Sequence, residues 1–143
     1  MKQIETEILI DAKPEKVWQV LTDFENHPTW NPFIKSISGE QEVGKKLTIK
    51  MQPPDGKGMT FNPTVLSFTK NEEFRWIGKL IFKGIFDGEH YFKLTDNGKN
   101  QTKFVHGEKF SGILIPLMTK ILENTKDGFE LMNEALKTEC EKE

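Results

Sequence analysis

The 143-residue chain has one cysteine, one arginine among its twenty basic residues, and no apolar run near the ~20 residues that cross a bilayer. Each scarcity excludes a class of protein. Cys140, close to the C-terminus, can neither close an intramolecular disulfide nor anchor a cysteine-based metal site, and it reads as a spectator. Arg75 is the sole guanidinium, and the lysines alternate with acids to a net charge of −2, so the forked contacts that read phosphates and base edges are missing and nucleic acid is not an expected partner. The start, Met1-Lys2-Gln3-Ile4-Glu5, runs straight into alternating residues with no apolar leader, which predicts a cytoplasmic protein without membrane insertion. There is no Gly-x-Ser-x-Gly elbow, glycine-rich phosphate loop or His-Glu-x-x-His spacing, so no covalent hydrolase chemistry, cofactor or resident metal is expected.

What remains has the composition and length of one globular domain over residues 1–143. Ile4 to Ile10 alternates with period two and reads as a strand. Asp11 or its successors can cap a helix begun at Pro14, with Val17, Trp18 and Leu21 on one packing face, and the aromatic, proline-bearing stretch 24–33 reads as a second short helix. From residue 34 to 110 the period is again two. Breaks at Gly39, Pro53-Pro54-Asp55-Gly56, Asn71, Gly84 and Asn97-Gly98 predict six strands over 34–42, 45–52, 59–69, 73–80, 85–95 and 101–111. After Pro116, Leu117, Met118, Ile121, Leu122, Thr125, Phe129, Met132 and Leu136 recur at helical spacing, with Gly128 on or beside the stripe. The expected architecture is α+β: a curved, seven-stranded antiparallel sheet, two short helices after the first strand, and a long C-terminal helix on the concave face.

Two late strands carry the residues with chemistry. In one, Phe86, Gly88, His90, Phe92 and Leu94 share the inner face; in the next, Thr102, Phe104, His106, Glu108 and Phe110 do. A two-residue turn at Asn97-Gly98 would set Lys103 against Phe92 on that face, so the hydrophobic pattern demands a register shifted into phase. Such a register pairs His90 with His106 and Gly88 with Glu108, or sets the histidines diagonally. Three uses of the cluster follow: fixing the polar end of a ligand, acid–base chemistry, or mutual satisfaction of buried polar groups. Two histidines and a carboxylate also form a metal-binding residue set, but two adjacent strands rarely complete a coordination shell.

The opening Ile10-Asp11-Ala12-Lys13-Pro14-Glu15-Lys16-Val17-Trp18, then Leu21-Thr22-Asp23-Phe24 and Trp30-Asn31-Pro32-Phe33, resembles the start of the polyketide cyclase/dehydrase and lipid-transport family, within the START-like or SRPBCC superfamily of helix-grip folds. Gly88 to Leu94 and Thr102 to Gly112 resemble the last two strands of its bacterial members. The resemblance spans nearly the whole chain. It implies a cavity between sheet and helix for a lipid, fatty acid, polyketide-like or aromatic molecule, lined from among Trp30, Phe33, Phe61, Trp76, His90, Phe92, Phe104, His106, Glu108, Phe110, Met118 and Leu122, with Met118 and Met132 on the helix stripe as adaptable walls. Trp30 and Trp76 are expected to border it. A cyclase-like enzyme using His90, His106 or Glu108, and an interaction module like activators of heat-shock ATPases using Ile85, Tyr91 and Val105 on the outer face, are the alternatives. A monomer or weak homodimer is expected.

Overall fold

The computed structural model describes residues 2–54, 57–79, 87–112 and 119–142. Eight strands are present among them: β1 (Lys2–Ile10), β2 (Ile34–Gly39), β3 (Leu47–Met51), β4 (Met59–Phe61), β5 (Thr64–Thr69), β6 (Glu73–Lys79), β7 (Asp87–Gly98) and β8 (Gln101–Ser111). They form two antiparallel sheets, β1-β8-β7-β6-β5 and β2-β3-β4. Three helices join them: α1 (Pro14–Thr22), α2 (His27–Trp30) after a 3-10 turn at Phe24–Asn26, and α3 (Thr119–Cys140).

The seven-strand expectation fails at one place. The strand expected over 59–69 breaks at Asn62-Pro63, so β4 stays with β3 while β5 crosses to β6. Pro63 cannot donate to a ladder, and the Asn62 side-chain amide instead donates to the Leu47 carbonyl and Thr48 Oγ1 at 3.3 and 2.9 Å. The sheets remain stitched beside this corner. Gly44 N donates to Val65 O and Val65 N to Lys45 O, both at 2.9 Å. Strands β2 and β3 end sooner than expected, while β7 runs on to Gly98; residues 80, 85 and 86 of the expected strands lie outside the described residues.

The hairpin between β7 and β8 also turns later than expected. Lys99 and Asn100 occupy the left-handed region, with φ of 53° and 60°, and make the turn. Asn97-Gly98 instead carries a register shift, with Gly98 at φ 79° and its N–H donating to Asp96 Oδ1 at 2.9 Å. The resulting register pairs Phe92 with His106 and His90 with Glu108. It is in phase, as the hydrophobic pattern demands, and the histidines are diagonal neighbours.

Pro14 opens α1 at its first turn, but Lys13 is the capping position and no side chain caps it; Asp11 accepts from Gln101 Nε2 at 3.0 Å instead. Val17, Trp18 and Leu21 are buried as expected, with Trp18 edge-on to Phe68 at 5.0 Å. The buried His27 ring holds the turn into β2. Its Nε2–H donates to the Leu21 carbonyl at 2.7 Å and its Nδ1 accepts from Asn31 Nδ2 at 3.1 Å, while Asn31 Oδ1 accepts from the N–H groups of Phe33 and Ile34. Burial lowers the pKa of His27 and keeps it neutral for this role.

Along α3 the buried stripe is Leu122, Gly128, Phe129, Met132, Asn133, Leu136 and Cys140. Ile121, expected on it, is 55% exposed; Leu117 and Met118 lie outside the described residues. Gly128 has a specific cause. A Cβ there would come within 2.5 Å of Phe33 Cδ1, so the helix can meet that ring only without a side chain. Cys140 packs as a small apolar residue, and burial pushes its thiol up to about 12, out of nucleophilic range at neutral pH.

Candidate functional site

Five side chains from β1, β7, β8 and α3 form one continuous chain of hydrogen bonds. Thr6 Oγ1 lies 2.8 Å from the His106 carbonyl, which can only accept, so the hydroxyl proton points there. Thr6 Oγ1 must then accept from Asn133 Nδ2 at 2.8 Å, which turns Asn133 Oδ1 toward His106 Nδ1 at 2.9 Å. His106 Nδ1 therefore carries a proton and donates it. Its Nε2 faces His90 Nε2 at 2.8 Å, and His90 Nδ1 lies 3.1 Å from Glu108 Oε1.

Burial sets the charge on this chain. Both imidazoles are fully buried. His90 lies flat under Trp76, with centroids 4.7 Å apart at 18°, and His106 is stacked on Phe129 at 4.1 Å and 15°. Desolvation takes His90 down to about 3 and His106 well below its ordinary value, the latter also through the neighbouring His90 ring and against the Asn133 hydrogen bond. Glu108 is pushed up to about 8 by burial. With both rings neutral and His106 Nε2 an acceptor, His90 donates from Nε2 and accepts at Nδ1. The donor facing that nitrogen is the protonated Glu108 carboxyl. His90 Nε2 and His106 Nε2 close on each other, which leaves no gap for an ion between them.

Glu108 sits at the boundary of this polar core and an apolar pocket. A cavity of about 150 Å³ is lined by Phe33, Met51, Pro53, Met59, Phe61, Glu108, Phe110, Ile121, Leu122 and Thr125. Both sheets and the first turns of α3 contribute. Gly88 lies opposite Phe110 and makes room for the Glu108 carboxyl, because an added Cβ would overlap Glu108 Oε2. Two larger grooves have more polar linings: about 360 Å³ between α1 and the end of α3, and about 510 Å³ beside Lys46, Asn62 and Lys79. Those polar walls suit an apolar ligand less well than the smaller apolar pocket.

The expected site residues therefore divide. Phe33, Phe61, Glu108, Phe110 and Leu122 meet at the pocket. Trp76, Phe92 and Phe104 fill the core beneath the sheet and line none of the three hollows, and His90 and His106 reach the pocket only through Glu108. Trp30 borders the groove against α1, its buried Nε1 without a partner among the described residues. Met118 lies outside the described residues. The pocket residues Met59 and Pro53 escape notice in the sequence, because a three-residue strand and a loop proline carry no periodic signal, while Ile121 and Thr125 lie on the expected helical stripe but outside the expected pocket lining. Asn133 and Thr6 fall outside the expected site; the place of Asn133 beside Met132 on the buried face of α3 is the signal that could have found it. On the outer face, Tyr91 is 1% exposed rather than available to a partner. Its hydroxyl reaches Glu5 Oε1 and Gln3 Nε2, and its ring lies over the bare Cα of Gly107.

An antiparallel sheet wrapped on a C-terminal helix, with a pocket between them, defines a START-like domain. The chain belongs to the polyketide cyclase / dehydrase and lipid transport family, whose model matches residues 1–141. It is similar in fold to the ZhuI aromatase/cyclase from Streptomyces sp. R1128, with TM-score 0.77 and 13% identity over 98% of this chain and 93% of that one. A START superfamily protein from Mycobacterium smegmatis matches at 0.75 with 19% identity, covering 97% of each chain. A Staphylococcus aureus protein of unknown function matches at 0.68 with 17% identity over 98% and 94%. No curated protein sequence matches. No described helix is long and apolar enough to cross a membrane.

Proposed function

We propose that the chain binds a small, largely apolar molecule in the pocket walled by Phe33, Met51, Phe61, Phe110 and Leu122, with Glu108 as its polar anchor. The observation that carries this reading is an apolar hollow with one ionisable side chain among its described walls. Its volume, about 150 Å³, matches cavities that admit benzene and falls below the ~300–1,000 Å³ of drug-sized sites. A single ring or short chain therefore suits it better than a long fatty acid or fused polyketide. Methyl NMR tests this with built-in controls. Toluene should shift the Met51 and Met59 methyls saturably and leave Met132, buried under the sheet, nearly still; unmoved pocket methyls would refute the reading. Ile121→Trp, on an exposed wall residue, should weaken binding at least about tenfold without unfolding the chain, since exposed substitutions cost little stability.

A second reading has one specific support: a carboxyl in the pocket wall hydrogen-bonded to an imidazole is an acid–base pair beside a bound substrate. Under it, Glu108→Gln would lower turnover by about 10²–10⁴ and leave affinity nearly unchanged.

A further inference from the structure

The direction of the hydrogen-bond chain has a consequence for what the pocket accepts. Starting from the Thr6 hydroxyl, which must point at the His106 carbonyl, every proton is fixed in turn through Asn133, His106 and His90 as far as Glu108 Oε1. A carboxylate at that end would leave two lone pairs facing each other at 3.1 Å. The alternatives are a cation on His90, whose ring is wholly buried between Trp76 and Phe129, or reversal of every bond back to Thr6. Glu108 therefore spends its single proton on His90, and what it can offer a ligand is its carbonyl oxygen, Oε2, over Gly88. The other described wall residues include no lysine, arginine or histidine.

We propose that the pocket selects an uncharged, single-ring-sized molecule that donates one hydrogen bond to Glu108, such as a phenol or small alcohol, and rejects carboxylate ions. The inference rests on the pocket reading above. It differs from the fatty-acid expectation in the sign of the polar head, because an anion entering here would lose its water and meet a neutral acceptor with no cation in reach. The raised pKa of Glu108 agrees with this geometry. Sequence spacing could bring the three side chains together but could not orient their protons, which required the contacts of Thr6 and Asn133.

Calorimetric titration of the full chain at pH 6.5 with toluene, phenol and benzoate separates the two proposals. Phenol should bind at least tenfold more tightly than benzoate. Glu108→Gln is the decisive variant, since its amide N–H₂ can donate to His90 Nδ1 while its carbonyl faces the ligand as before; the preference for phenol should hold within about threefold. If the variant folds poorly, carbon-13 NMR of the Glu108 carboxyl in the unaltered chain reads the same question, with a protonated shift expected at pH 6.5. Benzoate binding as tightly as phenol, collapse of the preference in Glu108→Gln, or an ionised carboxyl at pH 6.5 overturns the inference, and toluene binding in those cases leaves the pocket reading standing. Failure of both toluene and phenol to bind removes the pocket reading and the inference with it.

Discussion

At the scale of single residues, Glu108 and the buried histidines impose opposite pH dependences on stability. Glu108 titrates at about 8 in the fold against an ordinary 4.5, so between those values the folded chain holds a proton that the unfolded chain has lost, and stability falls as pH rises. His27, His90 and His106 have lowered values, so the unfolded chain binds their protons first, and stability falls as pH drops below 6.5. These four groups together place the optimum near pH 6.5. The groups facing the Glu108 carboxyl support assigning the alkaline limb to it: His90 from β7 is neutral, Ile4 opposite on β1 and Gly88 do not titrate, nor do Leu122 and Thr125 across the pocket. Urea unfolding should show the unaltered chain losing about 1.6 kcal/mol between pH 6.5 and 8 relative to Glu108→Gln, in which only the histidine limb remains. An equal slope in the variant would assign the effect elsewhere. Asn133→Leu should be costly by a different route. It strands His106 Nδ1–H and Thr6 Oγ1 in a dry core, for about 2–4 kcal/mol in thermal or urea unfolding.

At the scale of elements, what the sequence made legible depended on whether side-chain pattern or backbone geometry decided the outcome. The β7–β8 face was legible because Phe92, Phe104 and Phe110 tolerate only one phase, and both histidines and Glu108 follow from it. The turn was not. Asn97-Gly98 is a stronger turn signal than Lys99-Asn100, yet the register that aligns the apolar faces places the reversal at the weaker pair and a bulge at the stronger one. The corner at Asn62-Pro63 was obscured in the same way, since alternation continues across it while the strand changes sheet. Lys99 and Asn100 both pay a steric cost in the left-handed region, so the double change Lys99→Asn, Asn100→Gly should stabilise the chain by about 0.5–1 kcal/mol, read as a higher urea midpoint at unchanged slope. Gly128→Ala should act the other way, although alanine favours helices. The Phe33 ring blocks the added methyl, and about 1–3 kcal/mol should be lost unless Phe33→Leu is made with it.

At the scale of the whole molecule, the pocket lies where the two sheets and α3 come together, and this is why its position was hidden in the sequence. The resemblance implied a broad hollow beneath the sheet, but Trp76, Phe92, Phe104 and Phe129 interlock with the two imidazoles and fill that space. Pattern identifies which side chains face inward; which of them touch one another depends on ring sizes and stacking that no period encodes. The pocket's walls come from Phe33 just ahead of β2, from β3 and β4 in one sheet, from β8 in the other, and from α3. Those elements are also joined by the Gly44–Val65 and Leu47–Pro63 backbone bonds and by the Phe33–Phe129 contact at 5.5 Å, and a ligand would add a further link between them. Binding to the folded state alone raises stability by mass action, by about 2.7 kcal/mol at a hundredfold excess over Kd. For a chain of this length that corresponds to roughly 5–11 °C in Tm. Phenol at that excess should produce such a shift at pH 6.5, Ile121→Trp should cut it to about half or less, and hydrogen exchange should slow in β3, β4 and the first turns of α3 more than in β1. An undiminished shift in Ile121→Trp, or protection confined to β1, would place the ligand outside this pocket.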